Sequence, residues 1–146
     1  MATFDKTTLA NQTGWQNGLQ VKSWTLDFDA LTSAEGLAST DDIRLMAIPT
    51  GTAIVFFGST VEVNRILAGT SGTIDVGIDG GTEIDGAVDI KVAAGTITIN
   101  DTNAAPVLYS NTSGSTTYVT VEPTSHADVT DHGKVTVTLF YAKVSN

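Results

Sequence analysis

The chain has 146 residues, with 7 Lys+Arg against 16 Asp+Glu, a formal net charge of -9 and no Cys. That length predicts one domain able to bury a real core. Disulfides, thiolate metal sites and a Cys nucleophile are excluded. The acidic balance argues against nucleic acid and anionic membranes, both of which are bound through Lys and Arg.

The first residues lack the basic and apolar regions of a signal peptide, and the longest apolar run, Ala53 to Phe57, is far too short to cross a bilayer. The reading at this point is a soluble product made without a secretory route. Residues 1–18 are polar, with Trp15 the large apolar residue near their end, and read as an extended arm. The first strand is expected over 19–30, with Trp24, Leu26, Phe28 and Ala30 on one face and Thr25, Asp27 and Asp29 on the other. Residues 32–42 read as a connection, in which Thr32 and Glu35 have capping-box spacing for one helical turn.

A second strand is expected over 43–48, stopped by Pro49, which cannot donate to a sheet ladder. The third, 53–63, is the most apolar. Strict alternation puts Val55, Phe57, Val61 and Val63 on one face and Ile54 and Phe56 on the other, with Gly58 marking a bulge or corner. Further strands are expected at 73–78, 90–93, 96–100, 106–110, 116–122 and 134–144, with a Gly- and Asp-rich loop over 79–89. Eight to ten short strands without a long 3.6-residue period predict an all-β fold. The expected architecture is an antiparallel β-sandwich of jelly-roll type, about eight strands over 19–146, preceded by the arm of 1–18.

Few residues suggest chemistry. Asp75, Asp79, Asp85 and Asp89 lie in the Gly-Asp loop and offer oxygens of the kind calcium takes. An EF-hand register started at Asp75 nevertheless ends on Gly86 instead of Glu. His126 and His132, with Asp128 and Asp131 between them, are the ligand types zinc uses, but at no familiar spacing. There is no Gly-x-Ser-x-Gly elbow, and 16 acidic residues single out no carboxylate pair. The reading is therefore no enzyme, no cofactor and no metal, those eight residues being weak ligand candidates only. The aromatics suit packing better than catalysis. Trp15 in the arm, with Phe56 and Phe57 of one apolar strand and Phe140 and Tyr141 of the last, are the expected subunit-contact residues.

Residues 43–100 also carry a resemblance. Ile43 to Pro49 is followed by Gly51-Thr-Ala-Ile-Val-Phe56 and by Val61-x-Val63. Then come Gly72-Thr-Ile-Asp-Val-Gly77, Ile84 to Ile90, and Gly95-Thr-Ile-Thr98. This order resembles capsid cement (decoration) proteins of tailed bacteriophages and related small β-rich virion proteins. The resemblance implies a trimeric jelly roll or related sandwich on the outer surface of the phage head. There it would clamp adjacent major capsid proteins against internal DNA pressure after assembly in the bacterial cytoplasm. No catalytic residue is implied. The alternative is a carbohydrate- or receptor-binding module, such as a piece of a tail fibre. Coplanar exposed aromatics on a concave face would favour that alternative; a flat apolar face would favour the virion shell.

Overall fold

The computed structural model describes residues 3–5, 18–38, 41–66, 72–99, 106–123 and 133–145. The elements in chain order are β1 (Thr3–Asp5), β2 (Leu19–Asp27), α1 (Phe28–Glu35), β3 (Asp42–Ile48), β4 (Ala53–Arg65) and β5 (Thr73–Ile78). They continue with β6 (Asp85–Asp89), β7 (Ile97–Thr98), β8 (Val107–Ser110), β9 (Thr117–Pro123) and β10 (Lys134–Ser145). They form an all-β sandwich of two sheets. The first runs β1-β3-β9-β5-β6. The second runs β2-β10-β4-β7, with β8 pairing another stretch of β4. Every pairing is antiparallel except that of β1 with β3, where Phe4 lies opposite Ile43 in a parallel register.

The core is what period-two patterning requires: one face of each sheet turned inward. Ile43, Leu45, Ile48, Ile74, Val76, Val119 and Val121 from the first sheet meet Leu26, Ile54, Phe56, Val61, Val63, Val135, Val137 and Leu139 from the second, all buried. Polar bonds join the sheets as well: the Ser59 hydroxyl on β4 donates to Asp85 Oδ2 on β6 at 3.0 Å, both side chains buried, and the Tyr109 hydroxyl on β8 donates to Thr117 Oγ1 on β9 at 3.0 Å.

Three expectations are corrected. The first strand ends at Asp27, and residues 28–35 are helical. Asp27 caps that helix, its carboxylate accepting the Ala30 N–H at 3.3 Å. Phe28 and Leu31, one helical turn apart, then plug the end of the core with Leu37. Second, no strand forms over 90–93. Asp89 Oδ1 accepts the Lys91 N–H at 2.8 Å, a side-chain turn that takes the chain out of the ladder.

Third, alternation along β4 fails at Gly58, whose φ of 130° only glycine adopts without strain. Phe140 of β10 lies opposite Gly58 and Tyr141 opposite Phe56, so Phe57 is the extra residue of a bulge. Ile54 and Phe56 consequently share the inner face with Val61 and Val63, while Phe57 is pushed outside, 53% exposed.

Candidate assembly surface

The outer face of the second sheet can be read row by row from its registers. Leu19, Ala142, Val55 and Leu108 lie side by side across β2, β10, β4 and β8. The next row is Val21, Phe140 and Gly58. Then come Ser23, Thr138 and Thr60, followed by Thr25, Thr136 and Glu62, and finally Asp27, Lys134 and Arg65. Across β2, β10 and β4 one half of the face is thus apolar and the other half hydroxyl-bearing, ending in charge, with the exposed Ile97 of β7 beside Glu62 in that second half.

The apolar half is open to solvent. Leu19 is 63% exposed, Val21 56% and Leu108 64%. Beside the bulge, Gly18, Leu19, Phe57, Phe140 and Ala142 line an open groove of about 480 Å³. The polar half is held by its own bonds. The Ser23 and Thr138 hydroxyls are 2.7 Å apart, Thr136 donates to Asn64 Oδ1 at 2.8 Å, and Arg65 pairs with Asp27 at 2.9 Å.

The outer face of the first sheet has the opposite character. Ile43 lies opposite Val121 on adjacent antiparallel strands, which brings Asp42 and Glu122 side by side. The β5–β6 turn folds over them: the Gly80 N–H donates to Thr120 Oγ1 at 2.8 Å, and Asp79 Oδ1 accepts the Tyr118 N–H at 2.9 Å. Burial, then the charge of Asp79, pushes the Asp42 carboxyl above its ordinary range. Burial, then Asp42 and Asp75, does the same to Glu122. The Arg44 guanidinium lies over the Tyr118 ring, 3.9 Å from its centroid.

Among the expected contact residues, Phe57 and Phe140 come together in the groove. Phe56 and Tyr141 face the core, 1% and 3% exposed with ring centroids 6.3 Å apart, Phe56 because of the bulge and Tyr141 in step with Val135, Val137 and Leu139. Trp15, His126 and His132 lie outside the described residues.

The four loop aspartates do not converge. Asp75 Oδ1 accepts the Ala87 N–H, Asp79 the Tyr118 N–H, Asp85 the Ser59 hydroxyl and Asp89 the Lys91 N–H. Each carboxylate holds a turn or a partner strand, and among the described residues no group of three or more His, Asp or Glu could hold a metal ion. Among the described residues Trp24 is buried, 6% exposed, and Phe57 shares its groove with Phe140, Gly18, Leu19 and Ala142. Sequence reasoning missed Leu19, Val21 and Leu108. Their signal is a phase shift, since Leu19 and Val21 alternate out of step with the buried Trp24 and Leu26.

No family model matches the sequence, and no curated protein matches it significantly. Solved structures similar in fold include chains of two phage capsids. A chain of the capsid of Ralstonia phage GP4 aligns with a TM-score of 0.65 at 18% identity, covering 99% of this chain and 100% of that one. A chain of the acidic stable capsid structure of Helicobacter pylori bacteriophage KHP30 aligns with a TM-score of 0.50 at 17% identity, covering 90% and 95%. At these identities the likeness establishes a shared sandwich fold.

Proposed function

We propose that the chain is a non-enzymatic structural virion protein of a bacteriophage, a decoration protein that clamps adjacent major capsid proteins on the outer surface of the head. The observation that carries this reading is the end-to-end alignment of this chain with a chain of a phage capsid. The character of the surface agrees. Its most distinctive feature is an exposed apolar sheet face, which is what an assembly contact uses.

The working unit in this reading is a symmetric homo-oligomer, a trimer. Its acidic first-sheet face is suited to a basic patch on the shell and would repel encapsidated DNA. Binding that occurs only on the mature lattice stabilises it by linkage, about 2.7 kcal/mol per site at a hundredfold excess over Kd.

The test is a pair of phage preparations, assembled with and without this chain. Mass spectrometry of the complete particles should find the chain in stoichiometric ratio to the major capsid protein. Heads lacking it should release DNA at lower temperature. Absence of the chain from purified virions would refute the reading.

A further inference from the structure

We infer that the apolar half of the second sheet's outer face is an interface between copies of this chain, each copy covering the face of another. The inference deepens the decoration-protein reading and rests on it for the symmetry of the assembly, not for the contact itself.

The argument begins with charge. The chain carries a net charge of -9, so two copies repel unless they meet where neither presents charge. The three rows from Leu19 to Thr60 contain Leu, Ala, Val, Phe, Gly, Ser and Thr and no charged residue. On this face the acidic groups stand at the far end, where Asp27 is neutralised by Arg65. The first sheet's outer face carries Asp42, Asp75, Asp79 and Glu122 instead, the complement of a basic partner and a barrier to an identical one.

Area points the same way. With Leu19, Val21, Phe57 and Leu108 each more than half exposed, the apolar half offers roughly 500 Å² of carbon surface, within the range of functional patches. An ordinary interface buries about 800 Å² per partner, and its core is about 65% apolar. The apolar half alone supplies more than half of that area and forms an apolar centre of the kind such interfaces have.

Shape supplies the complement. The groove runs from Gly18 and Leu19 at the β2 edge across Phe140 and Ala142 to Phe57 on β4, and the exposed Leu108 stands on β8, the strand paired with β4. A knob beside a hole on one face lets Leu108 of one copy enter the groove of another.

The test uses the purified full-length chain and its native mass by light scattering at about 10 μM. A mass of at least twice 15.2 kDa is expected, three times for the trimer. Leu108→Asp and Phe57→Asp should each raise the dissociation constant at least about a hundredfold, a hot-spot effect, and yield monomer. Both residues are outside the core, so the far-ultraviolet spectrum should not change. Ile66→Asp, the same chemistry at the opposite end of β4, should leave the mass unchanged.

A wild-type monomer overturns the inference. If that monomer associates once residues 1–17 are deleted, the chain's own N-terminal segment is the occupant. If it stays monomeric but Leu108→Asp abolishes binding to heads, a capsid protein is the occupant and the decoration reading stands. An oligomer that survives both substitutions also overturns the inference. An oligomer that dissociates as expected, from a chain absent from virions, leaves this interface standing and removes the decoration reading.

Discussion

Asn111→Ala should be among the most damaging polar substitutions in this protein. Asn111 is 1% exposed and uses both ends of its amide. Nδ2 donates to the Ile48 carbonyl at 2.7 Å and to the Ser115 carbonyl at 2.9 Å; Oδ1 accepts from the Ser113 N–H at 3.1 Å and its hydroxyl at 2.7 Å. The backbone of Asn111 is bonded as well, to Gly51 and Thr52. The side chain thus ties the end of β3 to the β8–β9 turn. Alanine leaves the Ile48 carbonyl buried without this donor, at about 1–3 kcal/mol, and removes about 1 kcal/mol for each remaining bond that water does not replace. A total of about 3–4 kcal/mol follows, a large share of a total stability of about 5–15 kcal/mol. The melting temperature should fall by about 10 °C. Urea unfolding followed by tryptophan fluorescence gives the number directly, since Trp24 is in the core. Asn111→Asp should be at least as harmful, because it keeps the acceptor but turns a carboxylate toward two carbonyls. Ser113→Ala should cost only about 1 kcal/mol. A loss below about 1 kcal/mol for Asn111→Ala would refute the reasoning. Because β8 carries Leu108, the same variant should also weaken self-association at temperatures where it is still folded.

Three further predictions concern other parts of the molecule. Gly77→Ala should cost at least about 2 kcal/mol in the same urea assay, because its Cβ would run into the backbone of Gly81 in the turn folded over it, and backbone cannot step aside. Ser59→Ala should cost about 1–3 kcal/mol by removing the hydroxyl that donates to the buried Asp85 from the opposite sheet; Ser59→Thr, which keeps a hydroxyl there, should recover part of the loss. Acidification should act unusually on the Asp42–Glu122 pair. Both carboxyls are raised by burial and by neighbouring acids, so the folded chain holds protons that the unfolded chain has released. Their destabilising contribution is full above the raised folded values and disappears as pH falls to the ordinary carboxylate range. Asp27 has the opposite sign: burial raises it, but the Ala30 N–H and Arg65 outweigh that and lower it, so its contribution is lost as pH falls through the lowered value. Melting curves from pH 7 to pH 4 should therefore show Asp42→Asn and Glu122→Gln gaining most over the parent chain at pH 7 and least at pH 4. An equal gain at every pH would refute it.

Most of the sandwich was legible because it obeys a single rule, alternation with period two. The strands at 43–48, 73–78, 106–110, 116–122 and 134–144 fall close to β3, β5, β8, β9 and β10. The failures sit where a local device interrupts the rule. Asp27 starts a helix, yet Phe28 and Ala30 continue the apolar alternation, so the periodicity persists after the strand has ended. Gly58 inserts one residue into β4 and exchanges the faces of everything before it, which sent Phe56 inward and Phe57 outward. The glycine was visible, but whether it bends a strand or shifts its phase depends on the partner strand β10. The acidic pair Asp42 and Glu122 was not legible, since the residues are brought together only by the β3–β9 register.

The same phase argument shows why the assembly surface was half visible. A half-buried strand has one apolar face, and a segment apolar in both phases has two. Within β2, Leu19 and Val21 occupy one phase and Trp24 and Leu26 the other. In β10, Phe140 and Ala142 interleave with Leu139 and Tyr141. In β4, Val55 and Phe57 interleave with Ile54 and Phe56. Each doubly apolar stretch is short, and taken alone would pass for a fully buried strand. Only the registers align the three of them, placing their outward members in adjoining rows at one end of one sheet. A protein that worked as an isolated monomer would gain from a polar residue at each of these positions, through solubility and without cost to the core. That the apolar phase recurs on neighbouring strands, stops at the Ser23–Thr138–Thr60 row, and excludes every charge in a chain of -9 is the pattern of a surface built to be covered.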